Sequence, residues 1–242
     1  MTAQAKTVIR FRPTLWATVW AGVTVAILLS FGTWQVKRLF WKEALIAERQ
    51  DGFNAEAVPL PESDRDIPGI LWRRVTITGE FLHESEIHMA ARSMRSNVGW
   101  HILTPFLRDS GQTVMVNRGW VPQDRRHAAA RPQGQIQGTV TIEGIATPGA
   151  RKGWFTPVND VGNNVWLWAD LAGISDALDV RLQPLVVDAI EVENPGGFPI
   201  GGQTRINLPN DHLQYAATWY ILAVTLVVIY VIYHRRREED DA

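Results

Sequence analysis

The chain has 242 residues, with 24 Lys and Arg against 25 Asp and Glu, and no cysteine. So even a balance gives no ground for nucleic-acid or other polyanion binding. The lack of cysteine rules out disulfides, thiolate metal sites, iron–sulfur clusters and cysteine nucleophiles.

Residues 1–14 carry Lys6, Arg10 and Arg12 and precede an apolar stretch from Leu15 to Phe31 with no charged residue. A helix rises about 1.5 Å per residue, so this stretch reaches across the hydrocarbon of a bilayer. No small-residue cleavage site follows, as a secretory leader would require, and the pattern predicts an uncleaved transmembrane helix over 15–34. The next segment, QVKRLFWKEALIAERQD (Gln35 to Asp51), reads as the same helix continuing out of the membrane. Leu39, Leu45 and Ile46 form its apolar stripe, and Gly52 is the expected stop. Residues 58–70, with Pro59, Pro61 and Pro68, suit a loop.

Strand patterns follow. WRRVTITGEF alternates, EIHMAAR is a shorter run, and GWHILTPFL and TVMVNRGWV flank RDSGQ as a hairpin. GTVTIEGIA alternates clearly. VWLWAD and LQPLVVDAIEV read as later strands, with a short helix near Leu171 to Leu178 between them. A domain of about 180 residues can bury its own core unaided. The expected fold is membrane α plus mostly β: two transmembrane helices flanking an antiparallel β-barrel or sandwich-like domain with short helices.

The second apolar stretch runs from Tyr215 to Tyr233, within a transmembrane helix expected over 210–233 that starts at the interface. Arg235, Arg236 and Arg237 follow it directly, whereas the nearest basic residue before it is Arg205. Basic flanks stay in the cytoplasm, so the tail 234–242 and the N-terminus 1–14 are both expected inside. The domain 35–209 is then periplasmic. Lys37, Arg38 and Lys42 leave the first helix ambiguous, and the second decides. Trp16, Trp20 and Trp34 around one helix, and Tyr215, Trp219, Tyr220, Tyr230 and Tyr233 around the other, occupy positions suited to interfacial anchors.

Catalytic motifs are absent: there is no G-x-S-x-G, no H-E-x-x-H and no Walker-type G-K-[ST]. NPGGFPIGG (Asn194 to Gly202) lacks the basic residue and following helix of a phosphate loop and reads as a close-packed connection. His83, His88, His101 and His127 show no metal-ligand spacing and read as ordinary surface or half-buried histidines. His212 differs. It stands in NLPNDHLQYAATWY at the mouth of the second helix, which Asn210 or Asp211 can cap. His212, Tyr215 and Trp219 share a face at i, i+3 and i+7. Two readings stay open for His212, an axial ligand for haem iron or an interfacial histidine among interfacial aromatics. In the matching layer of the first helix, Trp34, Arg38 and Trp41 follow helical spacing, as do Gln35, Arg38 and Lys42. Arg38 could pair with a haem propionate or snorkel to headgroups.

Taken together, GTWQVKRLFWKEALIAE, TGEFLHESEIHMAAR, GWHILTPFL, VNRGWVP and PIGGQTRINLPNDHLQYAATWY resemble the Surfeit locus protein 1 family of cytochrome oxidase assembly factors. The resemblance covers most of the chain in family order, and the joint presence of TWQxxR, NRGWVP and HLQYAxTWY between two spans makes it specific. It implies a non-enzymatic assembly chaperone of the respiratory membrane. The implied partners are membrane lipids, the catalytic subunit of a haem–copper oxidase and, as a further candidate, haem a synthase. It also implies transient binding of haem a, with His212 in the place of the family's ligand histidine and Arg38, Trp34, Tyr215 and Trp219 in support. A scaffold that stabilises the nascent subunit without touching haem is the alternative. The short N-terminus leads to the expectation of a bacterial inner membrane.

Overall fold

A computed structural model describes residues 9–11, 13–94, 96–149, 153–204 and 208–237. Lys6, Arg12 and Arg205, used in the topology argument, lie outside the described residues, as do residues 238–242. The chain forms two compact units, residues 1–47 with 207–242, and residues 48–206.

The first unit is a pair of long helices. α1 (Leu15–Asn54) is a single helix of 40 residues, roughly 60 Å long. No proline interrupts it, so the expected span and its outward continuation are one rod. The helix passes the expected stop at Gly52 and ends at Asn54. Gly52 is there for another reason: a Cβ on it would lie 2.4 Å from the Trp72 carbonyl oxygen. The second long helix is α3 (His212–His234). Both helices are long and apolar enough to cross a membrane. Their apolar side chains point outward, with Val19, Val23, Ile27, Val224, Val228 and Ile232 all exposed. Lipid, not a protein core, is the solvent such a surface matches.

α1 and α3 run antiparallel and meet through small residues. Gly32, Ala216 and Ala223 are buried, and a Cβ on Gly32 would come within 2.8 Å of the Tyr220 ring. With little hydrophobic driving force between helices in lipid, close backbone approach and interhelical hydrogen bonds hold such pairs. Here Thr33 pairs with the Tyr220 hydroxyl at 3.2 Å and Thr18 with the Tyr230 hydroxyl at 2.5 Å. Tyr220 and Tyr230, expected as interfacial anchors, are therefore seam residues. At the far end His234, 2% exposed, sits among Phe11, Tyr230 and Tyr233 and lies 3.4 Å from Thr14. There β1 (Ile9–Phe11) pairs antiparallel with a strand at Arg235–Arg237, so the two ends of the helix pair lie together.

The second unit is a closed barrel. Its strands are β3 (Arg74–Phe81), β5 (Asn97–Arg108), β6 (Thr113–Pro122), β7 (Val140–Thr147) and β8 (Leu182–Ala189). They run in the order β3-β7-β8-β6-β5, and pairing of β3 with β5 closes the ring. β4 (Ile87–Met94) extends the sheet from β5, and β2 (Val58–Pro59) pairs with β3. The expected hairpin is β5–β6, and the expected short helix is α2 (Leu171–Leu178), capped by the Asp170 side chain on the Gly173 amide. The barrel is not wholly antiparallel: β6 and β8 run parallel. The chain from β6 returns through β7 and α2 before entering β8, and that crossover permits a parallel neighbour.

Two expectations need correction. Residues 58–70 are more than a loop, because they contribute β2 and a short 3-10 turn at Ile67–Gly69, and Leu60, Ile67 and Ile70 are core residues. VWLWAD is not a strand. Only isolated bridges form there, and the Asn159 side-chain oxygen caps the Leu167 and Trp168 amides in place of a neighbouring strand. β6 is buried on both faces: Val114 and Val116 join one core cluster with Val75, Phe106 and Val187, while Met115 joins another with Leu103, Trp166 and Ile174.

A buried polar network ties β4 to the segment after β6. Glu86 accepts from Arg131 and, at 2.9 Å, from His88. His88 is buried, not half-exposed as expected, and its Nδ1 accepts from Arg126 at 3.1 Å, so its proton is on Nε2. Burial opposes ionisation of Glu86, but the hydrogen bonds from His88 and Arg131 outweigh it and hold the carboxyl below its ordinary range. Nearby, burial and the Arg131 charge push the Arg118 guanidinium down to about 10. Arg118 donates to the Gly134 carbonyl and lies 4.5 Å over the Phe81 ring.

Gly119 has φ +118°, and a Cβ there would lie 1.9 Å from the Ile200 carbonyl oxygen. Gly119→Ala should destabilise the unit by on the order of 3 kcal/mol, read as a lowered thermal midpoint. Glu86→Gln leaves Arg131 buried without its anion and should cost about 3 kcal/mol or more near neutral pH. A depressed carboxylate pKa contributes stability above its unfolded value and loses it as pH falls through the folded value. The gap in thermal midpoint between wild type and Glu86→Gln should therefore close on acidification below the ordinary glutamate range. A gap that stays constant to low pH would contradict this assignment.

Candidate functional site

His212 is the first residue of α3. Asp211 occupies the cap position, but its side chain makes no capping hydrogen bond, and Asn210 makes none either. The entry to the helix is held from α1 instead: Lys42 Nζ donates to the Pro209 carbonyl. Two turns deeper along α1, Gln35 Oε1 lies 2.6 Å from His212 Nδ1. An amide oxygen can only accept, so Nδ1 carries the proton and Nε2 keeps the ring's lone pair. Nε2 has no hydrogen-bond partner among the described residues. A metal-binding histidine is commonly prepared in this way, with the second nitrogen fixed by an outer partner.

Two turns along the same seam Trp219 stacks on Phe31, with ring centroids 5.1 Å apart. Phe31, Gln35, Arg38 and Lys42 recur at i, i+4, i+7 and i+11, one flank of α1. His212, Trp219 and Arg38 are thus brought to one side of the helix pair. Arg38 is exposed and stacks over Trp41 at 3.8 Å. Tyr215 is 56% exposed. Trp34 lies on another face of α1, in a shallow groove of about 400 Å³ with Leu29, Ser30, Thr33 and Lys37. The residues that sequence reasoning missed are Gln35 as the partner of His212, and Phe31. The helical spacing of Gln35 with Arg38 and Lys42 was visible, but not its contact with a residue 177 positions away.

The barrel unit holds a separate polar cavity of about 460 Å³, lined in part by Trp72, Arg92, His101, Asn117, Asp188 and Gln203. Asp188 accepts from Asn117 at 2.8 Å and from Thr147 and Thr204 at 3.3 Å each. Burial pushes its carboxyl up against those hydrogen bonds. This network stitches β6, β7 and β8 together where β6 and β8 run parallel. Among the described residues no three of His, Asp and Glu come together as metal ligands.

The two glycine-bearing motifs of the sequence meet in this unit. Trp120 and Ile200 exchange backbone hydrogen bonds, 2.8 Å in each direction, so NRGWVP is paired to PIGG. The glycine-rich stretch is a close-packed connection, as expected.

The chain is similar in sequence to several known proteins. A SURF1-like protein of Monosiga brevicollis is 38% identical over 221 residues, covering 86% of this chain and 84% of the relative. Surfeit locus protein 1 of Homo sapiens is 37% identical over 208 residues, covering 79% and 69%. A SURF1-like protein of Drosophila melanogaster is 36% identical over 216 residues, covering 82% and 71%. The SURF1 family model matches residues 22–224, from within the first long helix, through the whole barrel, to the middle of the second. A match that takes in parts of both long helices and every strand of the barrel places this chain in the SURF1 family.

Proposed function

We propose that this chain assists the assembly of a haem–copper terminal oxidase, and that the mouth of the α1–α3 pair holds haem a for delivery to the catalytic subunit. The observation that carries the reading is the Gln35–His212 hydrogen bond, which leaves an imidazole lone pair available at Nε2. The donor set suits a porphyrin: one imidazole nitrogen, an aromatic stack two turns along the same seam, and the cations Arg38 and Lys42 for propionates. Haem would bring the redox iron that the oxidase needs, and this chain's residues only bind and orient it. A single protein ligand suits handover, because a cargo held on both axial sides would leave slowly. Trp34 and Tyr215 serve at the edges of the site as interfacial aromatics. The reading places the protein in a bacterial inner membrane with Arg235–Arg237 and both termini cytoplasmic and the barrel periplasmic, and it is supported by the joined ends of the helix pair.

Protein purified from cells that make haem a should show a haem absorption band that His212→Ala removes. Haem retained at an unchanged level in His212→Ala would favour the scaffold reading. Gln35→Leu should weaken haem retention by about 10- to 100-fold, the usual loss when an outer partner of a ligand histidine is removed. Gln35→Glu, which still accepts from Nδ1, should retain most of it. Equal retention in Gln35→Leu and wild type would show that the amide does not prepare the ligand.

A further inference from the structure

The barrel unit carries an apolar feature that neither its core nor the haem reading uses. Trp154 and Phe155 are 95% and 92% exposed. They are the two central residues of a tight turn: the Thr156 amide donates to the Gly153 carbonyl at 3.1 Å, and the Gly153 amide donates to the Thr156 hydroxyl at 2.7 Å. Turn tips are ordinarily Gly, Pro, Asn, Asp or Ser, for conformational reasons and for solubility. Here the turn is closed by reciprocal hydrogen bonds, and its base is pinned as well. The Trp168 indole donates to the Pro157 carbonyl at 3.3 Å, and Asn159 holds the Leu167 and Trp168 amides. The chain beyond presents Val158, 77% exposed. In sequence the turn follows Arg151 and Lys152.

We propose that the Trp154–Phe155 turn is a third membrane contact, seated in the headgroup layer of the bilayer that α1 and α3 cross. Tryptophan and phenylalanine are favoured at that depth, and basic neighbours suit anionic headgroups. The chain enters and leaves the barrel unit through helices long and apolar enough to cross a membrane, so the unit is tethered to a bilayer at high effective concentration. The patch is too small for a stable protein partner. Two aromatic side chains bury at most about 150–250 Å² each, against roughly 800 Å² per side for a standard interface. A lipid surface needs no such area when binding is intramolecular. The contact would limit tumbling of the barrel unit on its two tethers.

The chain has no native cysteine, so single labels are clean. Full-length protein carrying Val158→Cys with an environment-sensitive fluorophore, in nanodiscs of phosphatidylcholine and phosphatidylglycerol, should be quenched several-fold more by headgroup-proximal spin-labelled lipid than protein labelled at Asp124→Cys. Asp124 lies on the same unit with its side chain 76% exposed. Adding Trp154→Ser and Phe155→Ser should bring the Val158 label down to the Asp124 level, with the thermal midpoint unchanged. Equal lipid quenching at both sites would overturn the proposal. So would protection of the Val158 label that appears only when the oxidase catalytic subunit is added, which would assign the turn to a protein partner.

Discussion

The helix pair depends on close approach of two apolar rods in a solvent that gives them no hydrophobic reason to associate. Gly32 allows it by letting the Tyr220 ring lie against the α1 backbone, and Ala216 and Ala223 continue the flat contact. Once the backbones are near, hydroxyl pairs at Thr18–Tyr230 and Thr33–Tyr220 set the register. That register brings Gln35 opposite His212. A helix rotated by one residue would turn either partner through about 100° and leave a polar side chain facing lipid. The Gln35–His212 hydrogen bond is thus a consequence of how the seam packs, and the same seam stacks Trp219 on Phe31 two turns along.

The barrel unit obeys a different constraint. Closing five strands into a ring leaves β2 and β4 as the edge strands of the sheet. The long β5–β6 hairpin forms most of one wall, and the pairing of β3 with β5 shuts the ring. At the closing β3–β5 pair the backbones approach closely at a glycine: a Cβ on Gly79 would lie 2.0 Å from the Leu107 carbonyl oxygen. The unit also buries ionisable groups, and each is answered locally: Glu86 by Arg131 and His88, Asp188 by Asn117, Thr147 and Thr204. Both networks join segments distant in sequence, so they lock the connections between strands as much as the strands themselves.

Much of this was legible in the chain. Uninterrupted apolar stretches announce spans because length and absence of charge are local properties. The hairpin around Asp109–Gln112 and the short helix at Leu171–Leu178 were read correctly, because turn residues and amphipathic spacing are also local. The expected strand in VWLWAD failed because its apolar residues serve a different geometry: Trp166 enters the core from an irregular segment held by asparagine side chains. Residues 58–70 misled in the opposite sense, their prolines concealing three core residues. His88 read as ordinary because nothing near it in the sequence shows the Arg126 and Arg131 that enclose it.

By itself the sequence determined two lipid-crossing helices, a β-rich unit between them and the singular position of His212 at a helix start, since each rests on the order and spacing of neighbouring residues. The tertiary structure alone decided that the strands close into a ring with β6 and β8 parallel, that Gln35 is the partner of His212, and that Trp34 faces a different groove. Those depend on contacts between residues far apart in the chain. Such contacts are selected by packing and by the need to satisfy buried polar groups, and no local pattern encodes them.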